Sequence, residues 1–305
     1  MKIRYLKHNQ INFIKWNKCI AQSVNEIIYA YVWYLEIVSE NWEALVEGDY
    51  KSVMPLTYRK KYGIKYLAQP DFTQQLGVFS SSKLDVNLVE NFIKAIPKKY
   101  KLIEIKFNLI NKIENSIFET KLNVNYHLDL IEPYKSLYKK YSTNTKQNIK
   151  KSIKNGIYIT NHLTANELIR LFAENVGDPL IGMKIQQYDV LRKLISYCLK
   201  NNIGKIYSAF DSSNTLCGAV FLIYTKGKII SLISVSSAEG KENRAMFQIF
   251  DYIIKTFSEK HFTLDFEGSN IPGIARFNKG FGATPCEYFS LSINKLPWFI
   301  KMFKK

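Results

Sequence analysis

Asp265-Phe266-Glu267-Gly268-Ser269 closes a strand pattern that starts at Thr263 and leads into a short helical pattern from Ile274 to Phe281. Side chains alternate along a strand, so Asp265 and Glu267 are expected on one face, with Phe266 on the other. Two carboxylates at the end of a strand suit proton transfer. Such a pair can raise the pKa of one member, and a carboxylate so placed can act as a general base. The bland alternatives are that Glu267 caps the helix near Pro272 or pairs with Arg276, and that Asp265 pairs with a lysine.

Working outward, Ala245–Phe257 carries Met246, Ile249, Phe250, Ile253 and Phe257 on one helical face. Before it stand three strand patterns, Ile206–Phe210, Leu216–Tyr224 and Ile229–Val235. They are joined by the turn sequences Asp211-Ser212-Ser213-Asn214 and Thr225-Lys226-Gly227-Lys228, which predicts an antiparallel meander. Leu168–Phe172 and Val190–Leu199 read as helices, and Glu287–Ile293 as a last strand. The first part varies the same theme. A helix at Val32–Val38 precedes a hairpin of Trp42–Val46 and Ser52–Tyr58, turned by Glu47-Gly48-Asp49-Tyr50. A helix at Asp85–Ile96 stops at Pro97, and strands follow at Leu102–Phe107 and Asn125–Leu130, with a loop expected at Leu109–Lys121. A basic helical stretch, Tyr134–Ile153, breaks near Ser142-Thr143-Asn144 and ends at Asn155-Gly156. The reading is an α/β chain of two related lobes, 1–135 and 136–305, with mixed, mostly antiparallel sheets.

This order resembles the GNAT acyltransferase fold, and three groups of residues narrow the likeness to its two-lobed FemAB-type members. Tyr126-His127-Leu128-Asp129-Leu130, then Lys146-Gln147-Asn148-Ile149-Lys150-Lys151-Ser152-Ile153-Lys154-Asn155-Gly156, is similar to the strand and basic helix of that family. Asp265–Ser269 with Ile274–Ala283 resembles its closing strand and helix. Val53-Met54-Pro55-Leu56 and Gln69–Gly77 are similar to segments of its first lobe. The resemblance implies two tandem GNAT-like lobes and transfer of an acyl or aminoacyl group to an amine. The donor would be aminoacyl-tRNA or acyl-CoA, and no cofactor would be bound permanently. A role in cell-envelope or peptidoglycan-precursor synthesis is implied, with a nucleotide-linked precursor as a further partner. One departure bears on the donor. CoA-binding GNAT enzymes carry Q/R-x-x-G-x-G/A after the fourth strand, whereas Ser236–Arg244 has the single glycine Gly240 and the acids Glu239 and Glu242.

The candidate catalytic residues are therefore Glu267 and Asp265. Candidate substrate contacts are Lys241 and Arg244 at a helix start, Ser269, and Arg276 and Asn278 on the short helix. Lys146 and Lys150 join them from a lysine stripe that also includes Lys154, with Ile149 and Ile153 beside it as expected core. In the first lobe Arg59 and Lys61 precede Tyr62-Gly63, a setting suited to phosphate, and Gln74 offers an amide to a peptide. For each, the plain alternative is a solvated face, a hairpin tip or a loop satisfying its own backbone.

The 305 residues include 43 Lys+Arg against 26 Asp+Glu, a net charge of +17. That surplus would attract RNA, a nucleotide-linked substrate or an anionic membrane, although drift in composition toward Lys, Asn and Ile explains much of it. The four cysteines are scattered and read as buried free thiols, and the four histidines form no zinc pattern, so no metal is expected. No run approaches about 18 apolar residues, and the N-terminus is too charged for a signal peptide. A cytoplasmic protein is expected. The tail Pro297–Lys305, mixing aromatics with lysines, would either touch a membrane surface or dock on its own domain. A non-catalytic nucleic-acid-binding protein is the competing class, but no RNP-like, KH-like or helix-turn-helix pattern supports it.

Overall fold

The chain divides into two units, Met1–Asn123 with Glu287–Lys305, and Val124–Cys286. The computed structural model describes residues 2–114, 118–175, 183–268 and 270–297. The division differs from the 1–135 and 136–305 split expected from the sequence: the first unit ends earlier, and the chain returns to it from Glu287 onward.

The first unit begins with β1 (Ile3–Leu6), α1 (Phe13–Gln22) and α2 (Val32–Val38). The hairpin β2 (Trp42–Glu47) and β3 (Ser52–Lys61) follows, with Gly48 and Tyr50 at φ of 57° and 61° making its turn. Then come β4 (Ile64–Ala68), β5 (Phe79–Ser80), α3 (Val86–Lys94) and β6 (Leu102–Lys106). Asp85 caps α3 by accepting from the Leu88 amide at 3.0 Å. Strands β1, β2, β3 and β4 pair antiparallel in sequence, β5 adds to β3, and β4 runs parallel to β6. Helix α3 makes that parallel crossover and buries Val89, Phe92 and Ile93 on Leu45, Met54 and Leu56 of the hairpin.

The second unit takes its first strand from β7 (Glu119–Asp129), which starts inside the stretch expected to be a loop. Helices α4 (Tyr134–Lys139) and α5 (Thr143–Lys154) follow, broken where expected, because Ser142 accepts from the Thr145 amide and starts a new helix. Strand β8 (Tyr158–Thr160) and helices α6 (Ala165–Asn175) and α7 (Ile185–Lys200) lead to the meander β9 (Gly204–Phe210), β10 (Leu216–Thr225) and β11 (Lys228–Ser236). The chain continues through α8 (Ala238–Glu242), α9 (Ala245–Phe257), β12 (Thr263–Asp265) and α10 (Pro272–Gly280). It ends with β13 (Thr284–Asn294), whose outer half pairs antiparallel with β6 in the first unit. Within the second unit the order is β7-β12-β11-β10-β9-β8; β11 and β12 are parallel neighbours, and the other successive pairs in that order are antiparallel.

Aromatic packing sets the position of α10. Phe250 of α9 stacks on Phe266 with centroids 5.0 Å apart, Phe247 meets Phe277 at 4.8 Å, and Phe277 meets Phe281 at 5.1 Å. Each such pair adds about 0.5–1.5 kcal/mol beyond the area it buries. Ile149 of α5 joins this core, but Ile153, expected beside it, is 59% exposed; Ser152 and Thr145 take the inward positions instead.

Gly240 of α8 lies against the backbone of β10. A Cβ there would sit 1.7 Å from the Cys217 carbonyl oxygen, a distance no side chain can occupy. Gly240→Ala is expected to destabilise the protein by about 1–3 kcal/mol or more, measured by thermal unfolding.

Candidate active site

Strands β11 and β12 pair over only three positions, Lys228↔Thr263, Ile229↔Leu264 and Ile230↔Asp265. Directly afterwards the register of β11 against β10 shifts, with Leu222 opposite Ser231 and Phe221 opposite Ile233. Leu232 is thus a β-bulge, which bends the strand. Strand β11 then runs on to Ser236 without β12 beside it. At this end lies a cavity of about 370 Å³ whose walls include Ser234 and Ser236 of β11, Lys241, Arg244, Phe247, and Phe277 of α10. Its lining thus combines two aromatic rings with two cations. Arg244 stands between α8 and α9 at φ 61°, a left-handed conformation that costs a residue with a side chain about 1–3 kcal/mol and is found at functional sites.

Asp265 and Glu267 do not share a face. Strand β12 ends at Asp265, Phe266 turns into the aromatic core, and Glu267 takes φ 48°, which breaks the alternation. Gly268 follows with no room for a side chain: a Cβ would lie 2.1 Å from Asn125 Cα. Asp265 is only 2% exposed, and its partner is a histidine from the neighbouring strand. Its Oδ2 lies 3.1 Å from His127 Nε2, and its Oδ1 accepts from the Glu267 amide at 2.8 Å. Burial alone would push this carboxyl up. The hydrogen bond and charge of His127, the Glu267 amide and the charge of Lys228 outweigh it and hold the carboxyl below its ordinary 3.8. A hydrogen bond to a buried carboxylate is worth about 1.5–3 kcal/mol, enough to offset the cost of the left-handed turn at Glu267.

The other expected residues are spread more widely. Lys241 and Arg244 line the cavity. Asn278 is buried on α10, its Nδ2 without a hydrogen-bond partner among the described residues, while Arg276 is exposed. Lys146 donates to the Lys139 carbonyl at 3.0 Å and lies 5.5 Å from the Tyr138 ring; Lys150 is exposed on α5. In the first unit, Arg59 pairs with Asp71 at 3.0 Å and lines a separate cavity of about 530 Å³ with Gln69, Lys106 and Lys121. Lys61 is exposed at the end of β3, and Gln74 Oε1 accepts from the Gln75 side-chain Nε2 at 2.7 Å. Ser269 and the tail beyond Pro297 lie outside the described residues.

His127 escaped sequence reading because its partner is far away in the chain. Its only local signal is a polar residue between Tyr126 and Leu128, both buried. Cys19, Cys198 and Cys217 are buried, as expected, and burial pushes them up to about 11, 12 and 11. Thiols held so high are poor nucleophiles. Among the described residues, no cluster of His, Cys, Asp and Glu could hold a metal, and no helix is long and apolar enough to cross a membrane.

No family model matches the sequence, and neither does any curated protein. Solved structures do match the fold. A structure of FemX superposes with a TM-score of 0.64 at 11% identity, over 95% of this chain and 97% of that one. L-PGS from Bacillus licheniformis gives 0.51 at 12% identity, over 88% of each chain. The C-terminal domain of a putative lysylphosphatidylglycerol synthetase from Agrobacterium fabrum gives 0.52 at 8%, over 95% and 94%. The chain therefore shares the fold of these three structures.

Asp265→Asn should lower stability at pH 7 by about 1.5–3 kcal/mol in denaturant unfolding. Because the folded carboxyl is depressed, its contribution is complete above 3.8 and is lost as pH falls through the lower folded value. The gap between wild type and variant should accordingly narrow below pH 3.8.

Proposed function

We propose that this protein is an acyltransferase that passes an aminoacyl group from aminoacyl-tRNA to an amine, in the synthesis of a cell-envelope precursor. The observation that carries the reading is the parting of β11 from β12 beside a cavity lined by the rings of Phe247 and Phe277 and the cations Lys241 and Arg244. The fold supports it: the neighbours include FemX and a putative lysylphosphatidylglycerol synthetase, whose name describes an amino acid joined to an acceptor.

Two features favour tRNA over CoA as the donor. Gly240, the one glycine of the loop after β11, is pressed onto Cys217, so it is not free to let a pyrophosphate approach. The stretch from Pro133 to Asn166 contains Lys135, Lys139, Lys140, Lys146, Lys150, Lys151 and Lys154 and no Asp or Glu. Its helices α4 and α5 turn Lys139, Lys150, Lys151 and Lys154 to solvent, a surface that a polyanion neutralises well. A small thioester does not need such a surface.

The chemistry is direct transfer. The acceptor amine attacks the ester carbonyl, and a C–N bond forms as the bond from the carbonyl carbon to the ribose oxygen breaks. Glu267 takes the proton lost by the amine and returns it, directly or through a bridging water, to the departing ribose oxygen, so the step ends with Glu267 ionised again. The free backbone edge of β11 beyond the Leu232 bulge offers N–H groups to the tetrahedral oxyanion, where one donor is worth about 2.7–4 kcal/mol.

A single-turnover assay with total charged tRNA or acetyl-CoA as donor and a UDP-linked muropeptide as acceptor tests this. Transfer from tRNA, slowed about 10²–10⁴-fold by Glu267→Gln, is expected. Transfer from acetyl-CoA alone would overturn the donor, and transfer from neither would overturn the reading. Reversing Lys150 and Lys154 to Glu should weaken tRNA binding and reduce the slope of log affinity against log salt by about 1 per lysine, read by filter binding.

A further inference from the structure

We infer that the His127–Asp265 pair is a positioning device for Glu267, holding it in the left-handed turn from which it takes the proton. The inference rests on the transfer reading for its purpose, but the geometry stands apart from it.

Asp265 divides its two oxygens between separate tasks. Oδ2 faces His127 Nε2 at 3.1 Å, and Oδ1 accepts from the Glu267 amide at 2.8 Å. Asn125 Nδ2 lies 3.3 Å from the same imidazole nitrogen, and His127 and Asp265 occupy directly opposed positions on β7 and β12. The imidazole therefore fixes the carboxylate rotamer, and the carboxylate fixes the amide of the residue whose side chain matters. On the far side of the turn, Gly268 is pressed onto Asn125, and Asn270 accepts from the Val124 amide at 3.2 Å. Glu267 is thus held from both sides by β7, and only one side of the clamp contains an ionisable pair. A plain structural role would be served as well by two apolar residues at these opposed sites, because the opposite face of both strands is already core: Leu128 and Leu264. Such residues could not hold the Glu267 amide.

The test compares His127→Leu, His127→Gln and Glu267→Gln by hydrogen–deuterium exchange and by the transfer assay. His127→Leu should speed exchange in peptides containing Glu267 by about tenfold, the loss of one charge-assisted hydrogen bond, while peptides from α9 and β10 exchange as in wild type. Its kcat should fall about a hundredfold, with KM for the donor nearly unchanged. His127→Gln, which keeps a donor near the Nε2 position, should restore most of both. Glu267→Gln should lose transfer yet exchange like wild type. Wild-type exchange around Glu267 in His127→Leu would overturn the positioning role, whatever happens to transfer. A wild-type protein that transfers nothing would overturn the function while the exchange result still decides the clamp. If His127→Leu does not fold, Asp265→Asn replaces it in both assays with the same expected outcomes.

Discussion

Strand β11 stays beside β12 for only three residues: β12 has only three to offer, and just past them the bulge at Leu232 shifts the register of β11. Much in the second unit depends on that separation. It leaves the end of β11 open, it sets the place of the cavity, and it delivers the chain into α10, whose Phe277 forms part of the cavity wall. The aromatic cluster holds the separation open. Phe247, Phe250, Phe266, Phe277 and Phe281 join α9, the end of β12 and α10 into one apolar body, so the two strands cannot close without emptying the core.

The loop after β11 shows how packing limits chemistry. In a loop that cradles phosphate, glycine lets the ligand approach the backbone. Here Gly240 has the same small size but a different neighbour, the Cys217 carbonyl, and the positive φ is taken by Arg244, which carries a charge. A side chain in the left-handed region is stable only where its surroundings require it, and the caps of α8 and the packing of α9 supply that requirement.

The regular elements of the second unit were legible because their signals are local. Ala245–Phe257 was bounded to the residue by its apolar period, the meander by its turn sequences, and the break between α4 and α5 by Ser142. The first unit was harder. Helix α1 buries only Trp16, Cys19 and Ile20 among ten residues, a helical spacing but little more than one turn of it, and β4 interleaves Ile64, Tyr66 and Leu67 with a lysine, so neither signal is strong. The site was legible only in part. Alternation placed Asp265 and Glu267 together, but it assumes an extended backbone, and nothing in the sequence announces positive φ at a glutamate. The pairing of His127 with Asp265 depends on β7 lying next to β12, which is a property of topology and not of any window of sequence.

Strands β6 and β13 are antiparallel partners in the first unit, yet the whole of Val124–Cys286 is threaded between them in the chain. The excursion leaves and returns at neighbouring points, since the Phe107 amide donates to Phe289 and Asn123 reaches the Ser290 hydroxyl at 3.1 Å. The first unit's sheet therefore gains β13 only after all of Val124–Cys286 has been synthesised, which makes this pairing one of long sequence separation.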